Sequence, residues 1–339
     1  MKKLISALLT AVLFSMACSG CGGAPSASSS PASSTPATPA SSAAPASSAT
    51  EQTNWPTKTI EVINPSAAGG ETDIYGRIFQ KYMEKELGQT MVTVNMPGGG
   101  GTISTTEVSN SENDGYRMLV FHNGFLINNL MGLTELGIDN YEMAAIPIVD
   151  ATQCFFVSKN APYNNIKEMI DHVKAGNSVT IATEVGSFTH FQLLMLQQAA
   201  GVELDIVDSG TTPEKIAAIL AGNIDVMGTN ISTMRDYMET GDIKALCLLS
   251  PERNSQYPDI PTAKELGYDI DVTKFFFYAF PDGTDPAIVQ KFNDAARKVA
   301  QSPEFIEEIN ALYAQVTEMT AAECVSYMQN IYNTYQALL

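Results

Sequence analysis

The residues best suited to chemistry form a loop of small side chains, Asn64-Pro65-Ser66-Ala67-Ala68-Gly69-Gly70-Glu71-Thr72-Asp73. Small side chains let an anion reach main-chain N–H groups, and a following helix N-terminus adds partial positive charge. The lysine and hydroxyl residue that complete a phosphate-binding P-loop are absent after Gly70. A plain turn with Thr72 or Asp73 as helix cap is the competing interpretation. The ligand-binding residues predicted in this loop are Ser66, Ala67, Ala68, Gly69, Gly70, Thr72 and Asp73.

Other loops offer further polar groups. In residues 184–190, Ser187 and Thr189 could cap a helix or bind a ligand. His190 lacks a surrounding G-x-S-x-G elbow and an orienting acid, which favours a structural or ligand-contacting role over a nucleophile pair. Asn230 ends a predicted strand, where it either binds ligand or forms a turn. Four consecutive glycines in residues 95–102 are more typical of a mobile turn than of a dinucleotide site.

Alternating strands and helices must position these loops. Residues 59–63 predict a β-branched strand, a helix with apolar residues at helical spacing runs to Gly88, and residues 91–94 predict a second strand. This βαβ unit predicts parallel strands and ligand binding beyond their carboxyl ends. Further strands are predicted at 117–121, 179–183, 206, 224–227, 244–249 and 275–278, and further helices at 191–200 and from Thr212, Asp285, Ser302 and Thr320.

Composition narrows the function. The chain has 339 residues, 45% of them hydrophobic and 17% charged, which is enough for about two globular domains. A net charge of -18 repels nucleic acid and anionic membrane surfaces, so we predict no nucleic-acid partner. His122 and His172 lie apart from each other and from any cysteine pair, so we predict no metal site, and no motif predicts a cofactor.

The N-terminus predicts export. A basic Met1-Lys2-Lys3 and an apolar segment form a signal peptide over residues 1–20. Small residues before a cysteine are similar to a bacterial lipoprotein cleavage site, with Cys21 the predicted lipidated residue and Cys18 the alternative. Residues 21–54, rich in Ala, Ser, Thr and Pro, predict a solvated tether. We therefore expect an extracytoplasmic protein that is lipid-anchored to the cell membrane.

The loops resemble, in order, those of the extracytoplasmic substrate-binding proteins of tripartite tricarboxylate transporters, the Bug family. The resemblance spans nearly all of residues 55–339. The matching segments are Pro65 through Asp73 (P-x-x-A-G-G-x-T-D), Asn95 through Gly98 (N-x-P-G), Asp114 through Tyr116 (D-G-Y), Gly186 through His190 (G-S-x-x-H), Leu220 through Asp225 (L-x-G-x-x-D) and Pro258 through Thr262 (P-D-V-P-T).

This resemblance implies an α/β fold of the periplasmic-binding-protein type, a two-lobed clamshell whose lobes are mainly parallel sheets flanked by helices. Lobe 1 is expected to comprise residues 55–153 and 277–339, and lobe 2 residues 154–276. The loops at 64–73 and 184–190 then face each other across the cleft. The implied function is a receptor without catalysis that delivers a small di- or tricarboxylate, or a related organic acid, to a two-subunit membrane permease.

One departure from the family pattern keeps alternatives open. Where the family commonly has P-Y-K-G, this chain has Val207-Asp208-Ser209-Gly210. If Asp208 lines the cleft, it repels further carboxylates and pairs with an ammonium, so an amino acid or another zwitterion is the alternative ligand. A ligand sensor coupled to a membrane kinase is a further alternative. An exported enzyme is disfavoured because the sequence shows no positioned nucleophile or base.

Overall fold

The computed structural model describes residues 54–210 and 212–337. The predicted signal peptide, Cys18, Cys21 and nearly all of the predicted tether lie outside these residues. The strands are β1 Ile60–Asn64, β2 Met91–Asn95, β3 Arg117–His122, β4 Tyr141–Asp150, β5 Gln153–Ser158, β6 Thr180–Thr183, β7 Asp205–Asp208, β8 Val226–Asn230, β9 Ile243–Leu248, β10 Lys274–Pro281 and β11 Gln315–Val316. The α-helices are α1 Glu71–Leu87, α2 Thr102–Ser109, α3 Gly124–Leu130, α4 Ile166–Lys174, α5 Phe188–Ala200, α6 Thr212–Leu220, α7 Ile231–Glu239, α8 Pro286–Ala300, α9 Pro303–Asn310 and α10 Ala321–Gln336.

The predicted βαβ unit is confirmed. Helix α1 ends at Gly88, which adopts the left-handed conformation (φ 69°) that favours glycine. Strands β1 and β2 pair in parallel, with Ile60 opposite Met91. The predicted starts of the C-terminal helices are also confirmed, since Asp285, Ser302 and Thr320 cap α8, α9 and α10 through their side chains.

The strands form two sheets, one in each lobe of a clamshell. The first lobe has the order β11-β4-β10-β3-β1-β2, and the second has β7-β6-β8-β5-β9. Helices α1, α2, α8, α9 and α10 pack on the first sheet, and α6 and α7 pack on the second. The predicted two-lobed α/β fold is therefore confirmed.

Both sheets are mixed, which corrects the expectation that they are mainly parallel. In the first lobe β10 pairs antiparallel with β3 and β4, and in the second β5 pairs antiparallel with β8 and β9. The cause is the connection between lobes. The chain leaves the first sheet after Asp150, enters the second at Gln153, leaves it after Leu248 and returns at Lys274. Strands that carry the chain out and back run in opposite directions.

The core covers both faces of each sheet. Alternate residues of β10 point to opposite sides, so Phe276 packs with Val62 and Phe79 on one face while Phe275 and Phe277 pack on the other. Residues 275–278, predicted as a buried strand, lie within β10. Cys154, Cys247 and Cys324 are buried free thiols. Within the described residues, no helix combines the length and apolar character needed to cross a membrane.

Candidate functional site

A cavity of about 560 Å³ lies where the loops of the two lobes meet. Its walls follow the carboxyl ends of β1, β2 and β3 in the first lobe and of β6, β7 and β8 in the second. This edge is where open α/β sheets bind ligands, and the volume suits a small molecule.

The loop after β1 exposes the beginning of α1 to this cavity. Asn64 Oδ1 accepts hydrogen bonds from Ser66 N (2.9 Å) and Ser66 Oγ (2.8 Å), which fixes the start of the loop. Gly69 turns the chain at φ 78°, a conformation that favours glycine. Gly70 is the N-cap residue of α1 and provides no side-chain hydrogen bond. The first N–H groups of α1 therefore remain available to a ligand anion.

Asp73 holds this loop in position from the side that faces the protein interior. Its Oδ2 accepts hydrogen bonds from Gly69 N (2.9 Å) and Arg77 Nε (2.9 Å), and its Oδ1 accepts one from Asn95 Nδ2 (2.9 Å). Burial acts to raise the pKa of Asp73, but the hydrogen bonds from Arg77, Gly69 and Asn95 outweigh it and hold the pKa below its ordinary value. Asp73 is buried and does not line the cavity.

The loop after β6 presents a second helix start. Ser187 is the N-cap residue of α5 and accepts a hydrogen bond from His190 N (3.4 Å), and both Ser187 and Thr189 line the cavity. His190 lies behind them, where its Nδ1 accepts a hydrogen bond from Gly186 N (3.1 Å). Burial lowers the pKa of His190, although Asp208 opposes the shift. The imidazole thus shapes the loop and does not line the cavity.

The glycine loop after β2 also reaches the cavity, a role that the sequence did not indicate. Gly98, Gly100 and Gly101 line it, and Asn128 Nδ2 donates to Gly100 O (2.8 Å). Gly101 has φ 100°, and a side chain there would collide with the ring of Phe121. The glycines therefore permit close packing beneath the site.

The structure brings together nine of the predicted ligand-binding residues around the cavity. Asn230 is among them, and it caps α7 through Oδ1, which accepts from Thr233 N (3.1 Å). Asp208 is exposed outside the lining, where its Oδ1 accepts from Gly210 N (3.2 Å). The nine residues are Ser66, Ala67, Ala68, Gly69, Gly70, Thr72, Ser187, Thr189 and Asn230, and the three that do not line the cavity are Asp73, His190 and Asp208.

Sequence reasoning missed two lysines in the cavity wall. Lys274, at the start of β10, is 8% exposed and pairs with Glu71. Lys215, in the first turn of α6, is 4% exposed. A signal was present for Lys215, because it lies one helical turn before the buried Ile219 and so shares its face.

Two carboxylates and a neutral histidine also determine the electrostatic environment at the cavity. Asn230 Nδ2 donates to Glu71 Oε1 (2.8 Å) and to Asp150 Oδ2 (3.1 Å), which joins the two lobes. Burial and the nearby Glu71 raise the pKa of Asp150 to about 7, against hydrogen bonds from Thr152 and Asn230. Burial and then Lys274 hold the pKa of His122 well below its ordinary value, so this cavity residue is uncharged.

Comparison with known proteins agrees with this geometry. The family model for the tripartite tricarboxylate transporter family receptor matches residues 75–339. Protein BugT of Bordetella pertussis is 26% identical over 265 residues, which cover 76% of this chain and 81% of BugT. The structure of the periplasmic binding protein BugD is 27% identical and has a TM-score of 0.75, covering 84% of this chain and 97% of BugD. MatC from Rhodopseudomonas palustris, solved with bound malate, is 25% identical and has a TM-score of 0.76, covering 84% of this chain and 99% of MatC.

A two-lobed fold with a cavity between helix starts is typical of solute-binding receptors. The chain belongs to the tripartite tricarboxylate transporter receptor family, as its loops predicted. Its similar structures are substrate-binding proteins, and it is a receptor of this periplasmic type, not an enzyme.

Proposed function

We propose that this protein captures a small di- or tricarboxylate in the interlobe cavity and delivers it to a two-subunit permease of the tripartite tricarboxylate type. The observation that carries the proposal is the uncapped start of α1, which lies with the start of α5 on the wall of a single cavity. Such groups suit carboxylate oxygens. The malate bound by MatC supports the same ligand class.

The magnitudes are sufficient for a receptor. Micromolar binding requires about -8 kcal/mol, and each hydrogen bond to a charged group contributes about 1.5 to 3 kcal/mol. A few such bonds to Ser66, Thr72, Ser187 and the first amides of α1 reach this value after the cost of ordering the ligand. Because both lobes supply donors, a bound acid stabilises the closed arrangement, which we propose the permease recognises.

A thermal-shift panel tests the ligand class. The purified protein is heated with di- and tricarboxylates, amino acids and neutral metabolites in separate samples. A ligand at about one hundred times its dissociation constant adds about 2.7 kcal/mol to the free energy of unfolding. We expect stabilisation by one or more di- or tricarboxylates. A panel in which only amino acids or neutral compounds stabilise the protein contradicts the proposal.

We also propose that lipidation of Cys21 anchors the protein and that residues 21–54 act as the tether. The support is the small residues before Cys21 and the Ala/Ser/Thr/Pro composition that follows. Fractionation of cells that express Cys21→Ser is the test. We expect this variant in the soluble extracytoplasmic fraction while Cys18→Ser stays with the membrane; the reverse result assigns the anchor to Cys18.

A further inference from the structure

Lys215 combines deep burial with an unpartnered charge. Its side chain lines the cavity, and the residue is 4% exposed. Within residues 54–210 and 212–337, its ammonium group forms no hydrogen bond and no ion pair. Glu184 and Asp208 act on it only through longer-range attraction.

The neighbouring cation is already neutralised. Lys274 pairs with Glu71, whose Oε1 also accepts from Asn230 Nδ2 (2.8 Å) and Gln153 Nε2 (3.3 Å). The Lys274 ammonium also lies 5.3 Å from the centre of the Phe188 ring. Lys274 is therefore held by the protein itself, and Lys215 differs from it in having no such partner within the described residues.

An ammonium that is largely withdrawn from water and has no counter-ion is unfavourable. Burial is the main reason that the pKa of Lys215 is lowered; Glu184 and Asp208 oppose the shift, and Lys274 adds to it. An anionic group delivered by a ligand would relieve this cost at contact distance. The starts of α1 and α5 line the same cavity as Lys215. Either helix start can bind the first carboxylate of a ligand, apart from the lysine.

We propose that Lys215 is a specificity-determining residue that pairs with a second anionic group of the ligand. The protein then prefers a dicarboxylate over the same molecule with one carboxylate converted to an amide. This inference rests on the proposed carboxylate-binding function and adds the residue that recognises the second negative charge of the ligand.

Isothermal titration calorimetry with succinate and with its monoamide, succinamate, tests the proposal, and malate with its monoamides provides a second matched set. We expect the unmodified protein to bind the diacid at least about tenfold more tightly than the monoamide, a difference of about 1.4 kcal/mol. Lys215→Met, which retains chain length and removes the charge, should lose this preference. It should weaken diacid binding about tenfold or more and leave monoamide binding within about twofold.

The control variant is Lys167→Met, which removes an exposed lysine of the same lobe that pairs with Asp171; it should keep the preference. Lys215→Arg should keep it as well, because it retains a cation. The inference is overturned if Lys215→Met weakens the diacid and the monoamide equally, or leaves their ratio unchanged. If Lys215→Met does not fold, the ratio in the unmodified protein decides, and equal affinities overturn the inference.

The two proposals fail differently. If the unmodified protein binds neither diacids nor monoamides while amino acids or neutral compounds stabilise it, both proposals fall. If it binds diacids and monoamides equally well, the carboxylate receptor stands and the role of Lys215 falls.

Discussion

Asp73 illustrates how a single buried side chain can serve a binding loop without touching the ligand. Its carboxylate holds Gly69 N, Arg77 Nε and Asn95 Nδ2, so it joins the loop, α1 and β2. Asp73→Asn replaces one acceptor oxygen by an amide that must face one of these donors. We expect the free energy of unfolding to fall by about 1 to 3 kcal/mol, together with weaker carboxylate binding, measured by urea denaturation and calorimetry.

Asp171→Asn is the matched control for this change. Asp171 forms an exposed pair with Lys167, one turn away on α4, and such pairs contribute little. We expect its stability and affinity to stay close to those of the unmodified protein. Unchanged affinity in Asp73→Asn, despite lost stability, would show that the loop keeps its shape without this carboxylate.

The residues that were predictable and those that were missed differ in physical kind. Ser66 through Gly70 were visible because small residues after a strand and before a helix are unusual and local. Lys215 and Lys274 were missed because charged residues at the start of a helix or strand ordinarily face solvent. The spacing of Lys215 before the buried Ile219 signalled its burial. Lys274 gave no such signal, because its partner Glu71 lies 203 positions away in the sequence.

Among elements, the start of α1 carries the sharpest prediction. Gly70 has φ -72° and ψ 164°, which other residues adopt, although an added Cβ would lie 3.1 Å from Ala67 O and require a small adjustment. Asp and Asn are both good N-cap residues, so either should preserve the helix. Gly70→Asp also places a negative charge where we propose the ligand carboxylate binds.

We therefore expect Gly70→Asp to lose at least about tenfold in affinity relative to Gly70→Asn, with similar unfolding free energies for both variants. Calorimetry with the acid that gives the largest thermal shift provides the comparison, and Gly70→Asn controls for size and capping. Equal affinities for the two variants would remove the start of α1 from the binding site.

Element prediction succeeded where the signal was local and failed where direction depended on the whole fold. The βαβ unit and the caps at Asp285, Ser302 and Thr320 were readable from spacing and residue type. The antiparallel direction of β10 was not, because residues 275–278 have the same apolar pattern whichever way the strand runs. The direction of β10 is set by the return of the chain from the second lobe, through a connection of 25 residues after Leu248. The apolar pattern of the strand does not indicate the path of this connection.

At the scale of the whole molecule, two carboxylates lie where the lobes join. Asp150 ends β4 immediately before the crossing, and its Oδ2 accepts from Tyr75 Oη (3.1 Å) and Asn230 Nδ2 (3.1 Å). Glu71 shares Asn230 with it and pairs with Lys274. Since burial and then Glu71 raise the pKa of Asp150 to about 7, the folded protein binds a proton there that the unfolded chain releases at a lower pH. This group therefore makes stability fall as pH rises from about 4 to about 7.

Glu71→Gln removes the negative charge beside Asp150 and leaves the Lys274 ammonium without its carboxylate partner, and both changes lower the pKa of Asp150. We expect the stability of Glu71→Gln, measured relative to the unmodified protein, to increase as pH rises from about 5 to about 8. Urea denaturation at several pH values gives this difference. Comparing the two proteins cancels the separate contribution of the half-buried, neutral His122, which favours folding as pH rises to about 6.5. Glu61→Gln, at a half-exposed pair with Arg117 in the first lobe, should show a constant offset across the same range. A constant offset for Glu71→Gln as well would mean that the charge of Glu71 does not raise the pKa of Asp150.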